Sequence, residues 1–517
     1  MKRRRLAPLR RLGQSLFLCL FLFLFIKTDY QGSDNLQYAV NLIFRIDPLV
    51  AAATMLAAKT FIILLFPALF TIVFTFLLGR FFCGWVCPMG TIIDMSHKLA
   101  RPAPNTTDWK HQNLRYYILF FVLTGALFGL PLVGYVDPFS ILVRALTLAL
   151  YPAFNFSSES FFTFTYLNAP PWVNSVTEPL YAFMKNYILA SDPRVYTLTL
   201  LSLSILLIVL LLETVERRFF CRNLCPLGAM FSLVARFSLL RTIGGENSRC
   251  GKCQNCRSTC RMAAIDHNKA VSMEKCIFCL DCIDACPKKQ ISFGFAFKLA
   301  PISMNISRRG FITTAISSAA IPLFLPGRAI SKRPNPKLLR PPGALSEQDF
   351  LTRCVRCGEC MKVCIGNGLH PLFLEAGLEG IFSPKLSPRL GYCEYNCTLC
   401  GQVCPTGAIQ KLSPEIKKKE RIGLATFDKN RCLPYAKAIP CIVCEEHCPI
   451  ADKAIKFKEV ELVNDNGQRL VMKQPYAIDE LCIGCGICEY KCPLEGEAAV
   501  SISRPDNSRL QKDALSY

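Results

Sequence analysis

Four apolar runs organise the first 245 residues: Leu16 to Ile26, about Thr60 to Leu78, Tyr116 to Val136 and Tyr196 to Leu212. The last three approach the ~20 residues that an α-helix needs to cross a bilayer, and each predicts a membrane helix. The first is shorter. It follows Lys2, Arg3, Arg4, Arg5, Arg10 and Arg11, and Lys27-Thr-Asp-Tyr succeeds it in place of a small-residue cleavage site. It therefore reads as an uncleaved first helix rather than a signal peptide. Four crossings return the chain to the side on which it began. Arg80, Lys98, Arg101, Lys110 and Arg115 lie between helices two and three, and Arg217, Arg218 and Arg222 follow helix four. That is the basic excess expected of cytoplasmic segments. The segment from Asp137 to Pro193 then faces the periplasm, and its apolar stretch Ile141 to Ala153 leaves room for a re-entrant or interfacial helix.

Beyond residue 245 the apolar runs give way to cysteine-bearing loops. The stretch Cys276-Ile-Phe-Cys279-Leu-Asp-Cys282-Ile-Asp-Ala-Cys286-Pro287 has the spacing C-x2-C-x2-C-x3-C-P. This run holds [4Fe–4S] clusters in bacterial ferredoxins, and its fourth cysteine ligates the partner cluster. The pattern recurs. The quartets are Cys250, Cys253, Cys256 and Cys260; Cys276, Cys279, Cys282 and Cys286; Cys354, Cys357, Cys360 and Cys364; Cys393, Cys397, Cys400 and Cys404; Cys432, Cys441, Cys444 and Cys448; and Cys482, Cys485, Cys488 and Cys492. They use 24 of the 29 cysteines and imply six clusters. Two depart from the spacing, with three residues between Cys393 and Cys397 and eight between Cys432 and Cys441. Zinc sites pair two distant C-x2-C knuckles instead. By the crossed rule Cys286 joins the first quartet's cluster and Cys260 the second's. Likewise Cys404 joins Cys354, Cys357 and Cys360, Cys364 joins Cys393, Cys397 and Cys400, Cys492 joins Cys432, Cys441 and Cys444, and Cys448 joins Cys482, Cys485 and Cys488.

The apolar part carries a repeat. Arg80-Phe-Phe-Cys83-Gly-Trp-Val-Cys87-Pro88-Met-Gly90 follows the second run, and Arg218-Phe-Phe-Cys221-Arg-Asn-Leu-Cys225-Pro226-Leu-Gly228 follows the fourth. Asp47-Pro48 and Asp137-Pro138 stand earlier in each half. Repeats of this kind place sites at their junction. Cys83, Cys87, Cys221 and Cys225 form a candidate redox-thiol, metal or cluster site, against the plainer reading of buried small thiols in a turn. Asp47 and Asp137 fit helix N-caps with proline at the first helical position. They are also candidate general bases for a quinol proton.

The reading divides the chain into a four-helix membrane domain (1–245), a two-cluster ferredoxin module (246–297), a connecting segment (298–343) and a four-cluster ferredoxin domain (344–517). The ferredoxin modules are expected to be α+β, with Ala454 to Val463 and Leu470 to Pro475 as strand pieces. The connector contains Ser307-Arg308-Arg309-Gly310-Phe311-Ile312 before a weakly apolar run. This is a twin-arginine-like frame, and it predicts a fifth crossing that puts the C-terminal domain outside. The basic run Lys417 to Arg421 reads as a solvated loop.

A net charge of +22 suits a cytoplasmic membrane face. The basic residues are spread and not interleaved with aromatics, so nucleic acid is excluded as a partner. His97, His111, His267, His370 and His447 all lie outside the apolar runs, which excludes haem between membrane helices. No dinucleotide or P-loop fingerprint occurs.

Residues up to about Phe297 resemble the NapH-type membrane ferredoxin subunit of periplasmic nitrate reductase systems. Those from about Ser307 onward resemble the NapG/MauM-type periplasmic ferredoxin subunit. The resemblance implies a fused polyferredoxin quinol dehydrogenase of the bacterial inner membrane. Its partners would be lipid, the quinone pool and a periplasmic reductase or cytochrome. Two other readings stay open: an assembly factor that reduces a metal or thiol of a respiratory enzyme, and a redox-sensing regulator.

Overall fold

The computed structural model describes residues 6–30, 32, 34–36, 39–100, 113–190, 194–244, 253–288, 290–295, 307–324, 335–463 and 469–504. Cys250 lies outside them.

The N-terminal helical domain consists of two halves with one order of elements. The first runs through α1 (Leu6–Lys27), α2 (Asn41–Arg45), α3 (Pro48–Ala58), α4 (Ala68–Leu78), α5 (Phe81–Trp85) and α6 (Pro88–Ala100). The second begins with α7 (Leu114–Leu127), α8 (Val133–Val136) and α9 (Pro138–Ala145). A π turn over Leu146–Leu150 joins α9 to α10 (Tyr151–Asn168), and α11 (Pro171–Tyr187) packs back on α10. Then come α12 (Thr199–Leu211), a π turn over Phe220–Leu224 and α13 (Pro226–Ala235). The α10–α11 hairpin is an insertion in this second half.

The Asp-Pro pairs explain the matching breaks. Asp47 accepts from the amides of Leu49 (2.7 Å) and Val50 (3.1 Å), and Asp137 accepts from that of Ser140 (2.7 Å). Each caps a short helix whose first residue is proline, the arrangement that satisfies orphan amides at a helix start. The half-helices dip into the interior, where both aspartates are buried.

Helix length departs from the hydropathy reading. Ala7–Lys27 and Pro138–Asn168 are long and apolar enough to cross a membrane. The second, third and fourth predicted crossings fall in helices of only 10–17 residues, Ile63–Leu78, Leu114–Leu127 and Thr199–Thr214. The reason is local. Pro67 separates α4 from a 3-10 turn at Ile63–Leu65. Gly129, at φ 83°, turns the chain after α7, ahead of Pro131. Ile141 to Ala153 belongs to the long second helix.

The first ferredoxin module opens earlier than its cysteines. β1 (Leu240–Gly244) pairs antiparallel with β2 (Ile291–Phe295), and α14 (Asn255–Thr259) and α15 (Asp281–Ala285) pack between them in the chain. A Cβ on Gly84 would stand 2.2 Å from the Ile277 carbonyl oxygen, so the module's loop lies directly on α5. The twin-arginine-like segment is a helix, α16 (Arg308–Phe324), laid parallel along α7. The Ser307 amide donates to the Tyr117 hydroxyl (3.1 Å), Phe311 meets Phe120 with ring centroids 4.3 Å apart, and Ser318 bonds Thr124.

The C-terminal domain is built from short strands around its cysteine loops. β3 (Leu369–Pro371) pairs with β4 (Pro384–Leu386), and β5 (Leu424–Phe427) with β8 (Val500–Ser503). The expected strand pieces form the hairpin of β6 (Ile455–Val463) and β7 (Arg469–Ala477). This domain shares a core with the helices: Val355 and Cys357 are buried with Leu49, Val133 and Phe139. A Cβ on Gly134 would stand 2.3 Å from the Val355 carbonyl oxygen.

Candidate metal centres

Cysteine thiols from distant parts of the chain surround cavities of similar size. Cys253, Cys256 and Cys286 line one of about 410 Å³. Cys260, Cys276, Cys279 and Cys282 line another of about 430 Å³. In the C-terminal domain Cys354, Cys357, Cys360 and Cys404 line about 360 Å³, and Cys432, Cys441, Cys444 and Cys492 line about 370 Å³. In each, the last cysteine of one quartet joins the described cysteines among the first three of its neighbour. Cys364 lies within electrostatic reach of Cys397 and Cys400 beside Cys393. Cys448 stands in the same relation to Cys482 and Cys485. The eight-residue spacer before Cys441 folds as a helical turn, Leu433–Ala436.

The chemistry of these donor sets fits a multi-iron cluster. Among the described residues no three His, Cys, Asp or Glu side chains converge tightly enough for a single ion. The thiols stand around open volumes instead. Backbone amides already point at several sulfurs: Ala264 to Cys260 (3.2 Å), Gln290 to Cys286 (3.3 Å), Ile409 to Cys404 (3.4 Å) and Ala499 to Cys492 (3.5 Å). Such bonds favour the thiolate form. Without iron, burial pushes the thiols of Cys276, Cys397, Cys444 and Cys485 up to about 12. The positive charge of bound iron reverses that preference.

Neighbouring sites are linked by short connections. The Cys393 amide donates to the Cys485 carbonyl at 2.9 Å. Cys360 is within electrostatic reach of Cys400, Cys488 of Cys444, and Cys282 of Cys256. Lys417 is a correction to the sequence reading: it is 1% exposed, not solvated. Its ammonium donates to the carbonyls of Glu394 and Tyr395, which pins the longer loop between Cys393 and Cys397.

The repeated motif forms a further cavity, of about 410 Å³, between the two halves. Cys83, Cys87, Cys221 and Cys225 all line it, with Arg80 and Arg218. In both halves the second cysteine's amide reaches back five residues, Cys87 to Phe82 (3.0 Å) and Cys225 to Phe220 (2.8 Å). That wide turn sets both thiols of a pair against the cavity. The following proline starts a helix, and the Gly90 and Gly228 amides donate to Cys87 Sγ (3.5 Å) and Cys225 Sγ (3.2 Å).

Asp47 and Asp137 lie within electrostatic reach of each other in the interior, at 1% and 0% exposure. Sequence reasoning missed Asp94. Its carboxylate binds Arg218, Arg261 (2.8 Å) and Gln14 (2.9 Å). Burial works against its charge, yet Arg218 and then Arg261 hold it below the usual carboxylate range. Repeat comparison could not reveal it, because Ser232 occupies the corresponding place.

A family described as 4Fe-4S binding domain matches residues 60–106, 197–243 and 400–423. Each of the first two ranges contains two cysteines only. The chain is 37% identical over 205 residues to the methylamine utilization ferredoxin-type protein MauM of Methylorubrum extorquens, covering 38% of this chain and 88% of that protein. It is 34% identical over 192 residues to the ferredoxin-type protein NapG of Escherichia coli, covering 37% and 81%. No solved structure matches.

Proposed function

We propose that this chain, which belongs to the family of MauM and NapG ferredoxin-type proteins, is a membrane-anchored electron carrier that oxidises quinol and supplies a periplasmic oxidoreductase. The span of α1 carries the reading. At its first turn the Ala7 amide donates to Asp284 of the first ferredoxin module at 2.8 Å. Just past its last turn the Thr28 carbonyl accepts from Lys362 of the C-terminal domain at 2.7 Å. Its 22 residues rise about 33 Å, close to the ~30 Å hydrocarbon core of a bilayer. The two ferredoxin units thus stand one bilayer apart. The outer surface between them is apolar: Leu16, Leu20, Phe70, Val73, Leu207 and Leu211 are exposed, which suits contact with lipid. Helix α16, parallel to α7, carries the chain from the cytoplasmic module to the periplasmic domain.

Each thiol set, when it holds a [4Fe–4S] cluster, accepts and returns one electron. The chain's own residues supply the rest. They bury the sites, direct amides at the sulfurs and set neighbouring sites in contact. Oxidation of one quinol releases two electrons and two protons. Asp47 and Asp137 are the proton acceptors in this reading. Side by side, the two buried carboxyl groups hold one proton between them, so the pair takes the first quinol proton by general-base chemistry and hands it to water before taking the second.

The test is anaerobic rapid mixing of the purified full chain with menaquinol. Bleaching of the visible cluster absorbance on a turnover timescale supports the reading. No bleaching, with dithionite still reducing the clusters, overturns it and favours a maturation role.

A further inference from the structure

Neither half of the helical domain can ligate a cubane alone, because each motif offers two thiols. Together they offer four, around a cavity matching those of the ferredoxin sites, about 410 Å³ against 360–430 Å³. A buried charge supplies the second observation. Arg80 is 1% exposed, and its Nε and Nη2 have no hydrogen-bond partner, while Nη1 donates to the Glu274 carbonyl at 3.0 Å. The guanidinium crosses to the opposite half, where Nη2 lies 2.9 Å from the place a Cβ on Gly228 would take. Arg218 crosses the other way and donates to the carbonyls of Cys83 (3.1 Å) and Gly90 (3.2 Å). Asp94 neutralises Arg218. A buried cation with idle donors calls for an anion. A cluster ligated by four thiolates is one, since the thiolates outweigh the positive core in both oxidation states.

We infer that Cys83, Cys87, Cys221 and Cys225 jointly hold a seventh [4Fe–4S] cluster, with Arg80 as its counter-charge. Its position gives it a role. The cavity shares Met262 and Ile277 with that of Cys260, Cys276, Cys279 and Cys282. On its other side stands Pro138, the first residue of α9. From Pro138, α9 rises about 9 Å to Arg144, which donates to the Arg356 carbonyl at 3.2 Å. Arg356 lines the cavity of Cys354, Cys357, Cys360 and Cys404. The seventh site therefore lies between the cytoplasmic module and the periplasmic domain, on the path that the six ferredoxin sites leave open.

The test counts iron, and it does not depend on the electron donor. The full chain is purified anaerobically in detergent, and iron, acid-labile sulfide and zinc are measured per chain for Cys83→Ala, Cys225→Ala and the double variant. Each single variant is expected to lose about four iron atoms, and the double variant no more than either single. Unchanged iron, additive losses or one zinc per chain would overturn the inference. A variant free of ligand loss guards against misfolding. Arg80→Gln is expected to keep all the iron and to shift one cluster midpoint to lower potential in a redox titration followed by EPR, with Arg80→Lys restoring it. Full iron with every midpoint unmoved would remove Arg80 from the site.

Discussion

Asp94 and Arg218 form a bidentate ion pair, Nε to Oδ1 at 2.9 Å and Nη2 to Oδ2 at 2.7 Å, at the junction of the two halves. Asp94 comes from α6 of the first half and Arg218 precedes the cysteine turn of the second. Gln14 of α1 and Arg261 of the ferredoxin module complete the carboxylate's partners. One side chain thus holds three parts of the molecule around the four-cysteine cavity.

Asp94→Ala leaves Arg218 buried without its counter-ion and is expected to cost about 3–5 kcal/mol. Thermal unfolding in detergent should show it as a lower midpoint. The pH dependence has a definite sign. The folded carboxyl titrates below its unfolded value of ~3.9, so its stabilisation is complete above that value and is lost as pH falls below it. A variant as acid-sensitive as the parent would show that the pair contributes nothing.

The twin-arginine-like segment should remain in the mature protein. α16 is docked along α7 through Phe311 and Ser318, so its removal would strip a helix from the bundle. Intact-mass spectrometry of the chain from native membranes is expected to show no cleavage between Ser307 and Gly343. A new N-terminus in that interval would contradict the docking.

Iron removal should unfold the C-terminal domain. Cys354, Cys360, Cys432, Cys482, Cys488 and Cys492 belong to its buried core, so the sites stand where side chains would otherwise pack. Chelation under reducing conditions is expected to expose this domain to protease, while α1 to α13 keep their helical signal. An iron-free domain as resistant as the loaded one would count against structural clusters.

Asp47→Asn keeps an N-cap acceptor and the size of the side chain but cannot take a second proton. Cluster reduction by menaquinol is expected to slow at least ~10-fold, with dithionite reduction unchanged. Asp137→Asn should behave alike, because the two buried carboxyl groups lie within electrostatic reach of each other. Unaltered quinol rates in both variants would leave the aspartates with a capping role only.

The spacing of the cysteines made the ferredoxin chemistry legible from the chain alone, because thiolates that share a cubane must sit in a tight loop and reach across to a neighbour. The repeat R-F-F-C-x3-C-P was equally visible, down to the arginines that open it. Helix lengths were not. Hydropathy cannot register that Pro67 and Gly129 interrupt apolar runs, or that Asp47 and Asp137 turn their segments back into the interior. The repeat offered Cys83 and Cys87 with Cys221 and Cys225 as one candidate site, but with more than a hundred residues between the motifs it could not decide whether the two pairs meet. Tertiary packing decided that pairing, and with it the crossed arginines, the burial of Arg80 and the Asp94 link. A local motif fixes what a loop can bind, whereas a site shared between two halves exists only once both have folded around the same cavity.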